Sequence, residues 1–398
     1  MSKPMEALVI GGDSRVALAV VRSLGARGIP VAVTGTSLNT LAGASRYTGR
    51  KVVMPDPFTD PEGLERALRE EAEKYPGTVW IPTTDEILAV VDGIRHQLPE
   101  IRFPFPPSAV LEQAWDKWKL MEFASLCGLR VPRTRRPAHA REAVEMAQDL
   151  GFPVILKPVR SKHRTKNGFR EGVVRAIRNP QELVQAWTRE NDHIPLPLLQ
   201  ERIPGHGEGV FVLADQGRVV ARFAHRRIRE KPPSGGVSVL RESIAVPEAL
   251  IEPVDRLVQA LGWHGACMVE FRVDSRDGRP YLMEVNPRFW GSLQLAVDAG
   301  VDFPHLLYRL ALGEKLQPVG PYKIGVRSRW LIGDFDQMMV VLRRKPGHPH
   351  LPPHRLSRTR ALLDFLNPFA GRQEVFRWSD MKPSFVELAD FFRKLRHH

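Results

Sequence analysis

Cysteine is scarce: Cys127 and Cys267 are the only two in 398 residues. They form no CxxC pair, which argues against a disulfide framework or a structural zinc site and suits a reducing, cytoplasmic setting. No stretch of about 18 uninterrupted apolar residues occurs, so no membrane span is expected. The apolar run Ala7 to Ile10 near the N-terminus is too short for the core of an export signal. Catalytic signatures are missing as well. GxSxG and HExxH do not occur, which leaves the common hydrolase classes without support. The Gly-Lys dipeptide of a Walker A phosphate loop is also absent.

Charge, by contrast, is abundant and unevenly placed. Lys and Arg total 58 against 45 Asp and Glu, a formal net charge of +13. Residues 318–398 hold 15 basic and 7 acidic side chains, so this basic extension carries 8 of the 13 excess charges. Neither zinc-finger spacing nor an RRM-type aromatic motif accompanies it. It reads as a solvated basic surface or a place for an acidic small molecule, and nucleic acid is not expected as a partner. The length corresponds to two or three domains of about 150 residues each, and 43% apolar residues can build their cores.

Ala7 to Ile10, the turn Gly11-Gly12-Asp13-Ser14 and the periodic stretch Val16 to Leu24 predict strand, tight turn and helix, with Val31 to Thr34 as the next strand. The alternation continues through Val52 to Met54, a helix over 61–74, Thr78 to Ile81, a helix over 86–96 and a strand over Arg102 to Phe105. A parallel-sheet α/β domain over 1–113 follows. GxGxxG is incomplete at Gly11-Gly12, which favours a plain turn over a dinucleotide site. A helix over 115–126, the strand Val154 to Lys157 and a strand-rich α+β region to about 317 come next. The expected class is therefore α/β plus α+β. Residues 318–398 offer only a last helix over 384–395.

Met268-Val269-Glu270-Phe271-Arg272-Val273 and Tyr281-Leu282-Met283-Glu284-Val285-Asn286 read as a hairpin across the polar turn 274–279. Regular pairing sets Val269 opposite Val285, Phe271 opposite Met283 and Val273 opposite Tyr281. The same register puts Glu270 directly opposite Glu284. Opposed carboxylates repel, so a cation is expected between them, and removing Glu284 should relieve the repulsion. With Asn286 on the same face, the hairpin offers three hard oxygen ligands suited to Mg²⁺ shared with phosphates. Arg288 could hold a transferring phosphate. A plainer alternative is that Arg272 or Arg288 simply neutralises both glutamates. Lys157 closes an apolar strand, where a phosphate would account for its charge.

Asp116-Lys117, PVILKP around Lys157, LLQERIPGHGEG, the Glu270 strand and MEVNPRFWGS follow one another as in the ATP-grasp superfamily, which the chain resembles over about residues 6–315. The resemblance implies a pre-ATP-grasp domain (1–113), an ATP-grasp domain (114–317, small subdomain to about 200) and the basic extension 318–398. It implies ATP phosphates on Lys117 and Lys157, adenine on Glu201 with the Arg202-Ile203 backbone, and ribose on Glu208. One or two Mg²⁺, replaceable by Mn²⁺, would sit on Glu270, Glu284 and Asn286. Arg288 and Arg227 would be catalytic, with Arg241 a weaker substrate candidate. The implied activity is an ATP-dependent ligase joining a carboxylate to an amine, with small-molecule substrates and a homodimer as an option. A bicarbonate-using carboxylase or carbamoyl-phosphate-synthase-like enzyme is the alternative. A non-catalytic nucleotide-binding protein whose basic tail takes an anionic partner is another. One departure stands out: the stretch 160–170, where the family carries a glycine-rich loop, is strongly basic with one glycine.

Overall fold

The computed structural model describes residues 5–165, 168–190, 196–233, 235–343 and 357–396. Its first sheet is parallel, in the order Arg50–Val53, Val31–Gly35, Ala7–Ile10, Val79–Pro82. Both inner strands are buried along their length, as a sheet covered on two faces requires. Helix Arg15–Gly25 starts where the Ser14 hydroxyl accepts from the Ala17 amide, the capping bond a helix N-terminus needs. The strand expected over 102–105 shrinks to a single bridge between Val79 and Arg102. The helix expected over 115–126 is two helices, Ser108–Trp115 and Lys117–Leu126. Asp116 separates them, its carboxylate accepting from the Trp118 and Lys119 amides.

A four-stranded antiparallel sheet follows, ordered Thr134–Arg135, Leu198–Glu201, Val154–Lys157, Arg175–Ile177. The helices Ala140–Leu150 and Pro180–Glu190 bury Ala143, Ala147, Leu183 and Trp187 against it. The largest sheet has seven strands in the order Pro280–Asn286, Gly265–Asp274, Gly205–Asp215, Arg218–Lys231, Val237–Ile244, Arg327–Arg329, Arg372–Gln373. Its third strand, Gly205–Asp215, alternates with period two: Phe211 and Leu213 join the core shared with the first domain, while Val210, Val212 and Ala214 join the core on the opposite face.

The basic stretch beyond 318 is woven into this architecture. Its two short strands extend the large sheet. Buried Asp380 accepts from Arg22 Nε at 2.8 Å, Ser45 Oγ at 2.7 Å and the Arg46 amide at 2.9 Å, all on the first domain. The last helix runs Lys382–Arg396. Of the basic 160–170 stretch, Lys166 and Asn167 lie outside the described residues. The rest pairs as Lys162–Thr165 against Gly168–Glu171. That hairpin docks on the first domain: the Phe169 amide donates to Phe58 O at 3.2 Å, and the Phe169 ring is buried in that domain's core. Gly168, at φ +110°, lies so close to Phe58 O that no Cβ would fit.

Candidate functional site

The hairpin places Glu270 directly opposite Glu284, as the pattern predicts. Past Glu270 the register slips by one, so Phe271 faces Leu282, not Met283, and Val273 faces Pro280, not Tyr281. The bulge lets Leu282 join Phe271, Val269 and Val285 in the core, which a regular ladder would forbid.

Each opposed carboxylate has its own cation. Arg227 Nη2 lies 2.8 Å from Glu270 Oε1, and Arg227 Nη1 also bonds Glu230 at 3.0 Å and the Gly236 carbonyl at 3.0 Å. Lys117 Nζ lies 3.6 Å from Glu284 Oε2 and donates to Ser161 Oγ at 2.8 Å. Arg272 does not neutralise the pair: it donates to the carbonyls of Ile203 and Gly205, both at 2.7 Å. Arg288 reaches away to the first domain, Nη2 to Asp85 Oδ2 at 2.7 Å, while keeping a 3.4 Å contact with Asn286 Oδ1. Asn286 Nδ2 in turn donates to Glu284 Oε1 at 3.0 Å.

The two glutamates are shifted in opposite directions. Burial pushes the Glu270 carboxyl up, Arg227 works against this, and Glu284 adds to it. Burial acts on Glu284 in the same direction, but Lys117, the Asn286 amide, Lys157 and Arg288 outweigh it and hold its carboxyl below the usual range. Lys157 is brought down to about 7, chiefly by burial and then by Lys117, with Glu284 opposing. The result is a carboxylate, Glu284, set among three basic side chains from three segments, Lys117, Lys157 and Arg288, an arrangement that a polyanion would complete.

A metal fits the donor set. Glu270, Glu284 and Asn286 supply oxygen only, and among the described residues no group of three His, Cys, Asp or Glu gathers elsewhere as a rival site. Two carboxylates and an amide leave most of an octahedral Mg²⁺ shell to water and phosphate oxygens, which is how Mg²⁺ is commonly held.

Other expected residues sit less openly. Glu201 accepts from the Arg133 amide at 2.8 Å and Arg133 Nε at 3.0 Å, and the Ile203 carbonyl is held by Arg272, so both acceptors already have partners. Arg202 is half-buried beside them. Glu208 bonds His206 Nε2 at 3.0 Å. Arg241 is fully buried, paired with Glu374 and donating to Ser238 O at 2.8 Å. Its place is a strut under the sheet rather than the rim of a substrate cleft. Asp85, Glu230, Ser161 and Glu374 were not foreseen. Asp85 lies in Thr83-Thr84-Asp85-Glu86, where the sequence signals only a helix start, and its partner Arg288 is 203 positions away. Glu374 stands in the tail, without a motif, yet pairs with both Arg15 and Arg241.

A family model described as ATP-grasp in the biosynthetic pathway with Ter operon matches residues 193–333. The chain is 27% identical over 248 residues to the carbamoyl phosphate synthase large chain of Methanobrevibacter smithii, a match covering 58% of this chain but only 22% of that protein. It is 27% identical over 236 residues to a D-alanine–D-alanine ligase of Aromatoleum aromaticum, covering 54% of this chain and 72% of the ligase. Among solved structures, a biotin carboxylase from Campylobacter jejuni in complex with β,γ-ATP superposes with a TM-score of 0.66 at 18% identity, covering 82% of this chain and 75% of that one.

Proposed function

Because the chain belongs to the ATP-grasp superfamily and has its fold, we propose that it uses Mg-ATP to activate a carboxylate as an acyl phosphate and joins it to an amine, releasing ADP and phosphate. The observation that carries this reading is the opposed pair Glu270 and Glu284, set among Lys117, Lys157 and Arg288. The D-alanine–D-alanine ligase likeness is consistent with amide-bond formation.

In this reading Lys117 and Lys157 bind the ATP phosphates, and Glu270, Glu284 and Asn286 hold Mg²⁺, which when bound offsets phosphate charge. The Arg202-Ile203 backbone lies against adenine, flanked by Glu201, and Glu208 takes the ribose. The substrate carboxylate oxygen attacks the γ-phosphorus, the bond to the β–γ bridging oxygen breaks and ADP leaves. The amine then attacks the acyl carbon, phosphate leaves and the amine loses a proton. Arg288, oriented by Asp85, stabilises charge on the acyl phosphate, and Arg227 fixes Glu270 and faces the acceptor side. This is electrostatic positioning more than covalent catalysis.

The test is release of phosphate and ADP from Mg-ATP with pooled carboxylates, amines and bicarbonate, in wild type beside Glu284→Ala. Release that requires a carboxylate together with an amine, and is lost in the variant, supports ligation. Release with bicarbonate alone points to the carboxylase chemistry instead. ATP binding without release under any pool would overturn the enzymatic reading.

A further inference from the structure

The described residues after 357 leave much apolar surface uncovered. Helices Arg358–Leu366 and Lys382–Arg396 both pack beside helix Leu331–Leu342, with the Phe335 ring 5.7 Å from Phe365 and 5.7 Å from Phe391. That contact uses one side of each helix. On the first, Leu362, Leu363 and Leu366 are exposed; on the second, Phe385, Leu388 and Phe392 recur at helical spacing and are exposed as well. Between the helices, Phe369 is 91% exposed and Trp378 83%. Scattered single apolar residues on a surface are ordinary, whereas stripes with aromatic side chains standing out beside them mark a contact face.

The border of this face is basic. Arg358 and Arg360 open the first helix, Lys382 opens the second and Arg393, Lys394 and Arg396 close it, and Arg372 lies between the two; all are exposed. Of the acidic side chains in the same stretch, Asp364 and Asp390 stay at the surface, paired with Arg360 and Arg393 at 2.9 Å each, and the other three turn inward. Glu374 is buried against Arg15 and Arg241, Asp380 is buried against Arg22, and Glu387 accepts from Trp330 Nε1 at 2.7 Å. Seven exposed bases against those two surface acids leave the face net positive.

Charge decides the occupant. A second copy of this face would bring two basic borders together, which like-charge repulsion opposes. An anionic surface is attracted, and leucine and phenylalanine stripes edged by Arg and Lys, with Trp beside them, are the composition of helices that lie in the lipid headgroup layer. We propose that the face formed by helices Arg358–Leu366 and Lys382–Arg396 with Phe369 and Trp378 docks the protein on the surface of an anionic lipid bilayer, without crossing it. Near such a surface each Lys or Arg strengthens partitioning by roughly fivefold.

The experiment is flotation of the full chain with phosphatidylcholine vesicles, with and without phosphatidylglycerol, at low and high salt. Binding is expected only with the anionic lipid and should weaken as salt rises. Phe369→Ser, Trp378→Ser and Phe392→Ser together should weaken it at least tenfold at unchanged Tm, and Arg393→Glu with Lys394→Glu should abolish the preference for anionic vesicles. No flotation with anionic vesicles at low salt overturns the proposal, as does equal binding by the serine variant. Sedimentation showing a wild-type dimer that the serine variant loses, with no vesicle binding, would assign the face to a second copy and also refute it. None of these outcomes bears on ATP turnover, so this inference and the ligase reading fail separately.

Discussion

Replacing Glu284 by Gln should lower stability, although it removes one of two opposed carboxylates. The hairpin pattern alone points the other way, since relief of a cross-strand like-charge pair is worth up to about 1 kcal/mol. In the folded chain, however, Glu270 already has Arg227 at 2.8 Å, and Glu284 is the anion facing Lys117 and Lys157. At 3.6 Å and an effective dielectric of about 20, the Lys117–Glu284 attraction is about 4–5 kcal/mol. The Glu284 side chain is 28% exposed and its own desolvation is relieved on neutralisation, so the net loss is smaller, about 1–3 kcal/mol. With an unfolding entropy of about 2.1 cal/mol/K per residue, that is a fall of roughly 1–4 °C in Tm. Scanning calorimetry of wild type, Glu284→Gln, Lys117→Met and the double variant gives both the loss and the coupling. An unchanged or raised Tm in Glu284→Gln, or no coupling in the cycle, would refute the argument that this carboxylate serves to hold buried cations.

Three further outcomes are expected. His225 is fully buried, its Nε2 2.7 Å from Ser292 Oγ, and burial with Arg227 and Arg241 nearby holds its imidazole well below the usual range. It therefore stays neutral while the unfolded chain takes up a proton, so stability falls as pH drops below about 6.5, by up to about 1.4 kcal/mol per pH unit; denaturation across pH should show that slope flattened in His225→Gln. Asp380→Asn removes the buried anion on which Arg22 Nε rests and should cost about 3–5 kcal/mol, read from urea midpoints. Phe169→Ala empties a site in the first domain's core worth about 3–5 kcal/mol of hairpin docking, so the 162–171 hairpin should be cleaved by protease far sooner than the rest of the chain.

Local pattern carried the individual elements. Strand alternation with helices announced the parallel domain, and the period-two run around Glu270 announced both the hairpin and the Glu270–Glu284 opposition, because the ladder from Met268 to Glu270 keeps the regular register and the slip lies between that pair and the turn. The slip beyond Glu270 was hidden, since Leu282 and Met283 are equally apolar and only the core selects which is buried. The strand over 102–105 failed for a related reason: its residues suit a strand, but only Arg102 meets a partner, at Val79.

What the sequence determined by itself was the chemistry available: two carboxylates and an amide on one face of a hairpin, a lysine ending an apolar strand, an arginine two residues past the amide. Spacing of a few residues specifies such things because a strand's geometry is local. What the tertiary structure decided was how those charges are shared. Arg227 took Glu270, Lys117 took Glu284, Asp85 took Arg288, and Glu374 in the basic extension took Arg241. Each pairing joins segments 43 to 203 residues apart. No period in the sequence records it, because a buried charge finds its partner through the packing of whole sheets and not through its neighbours along the chain.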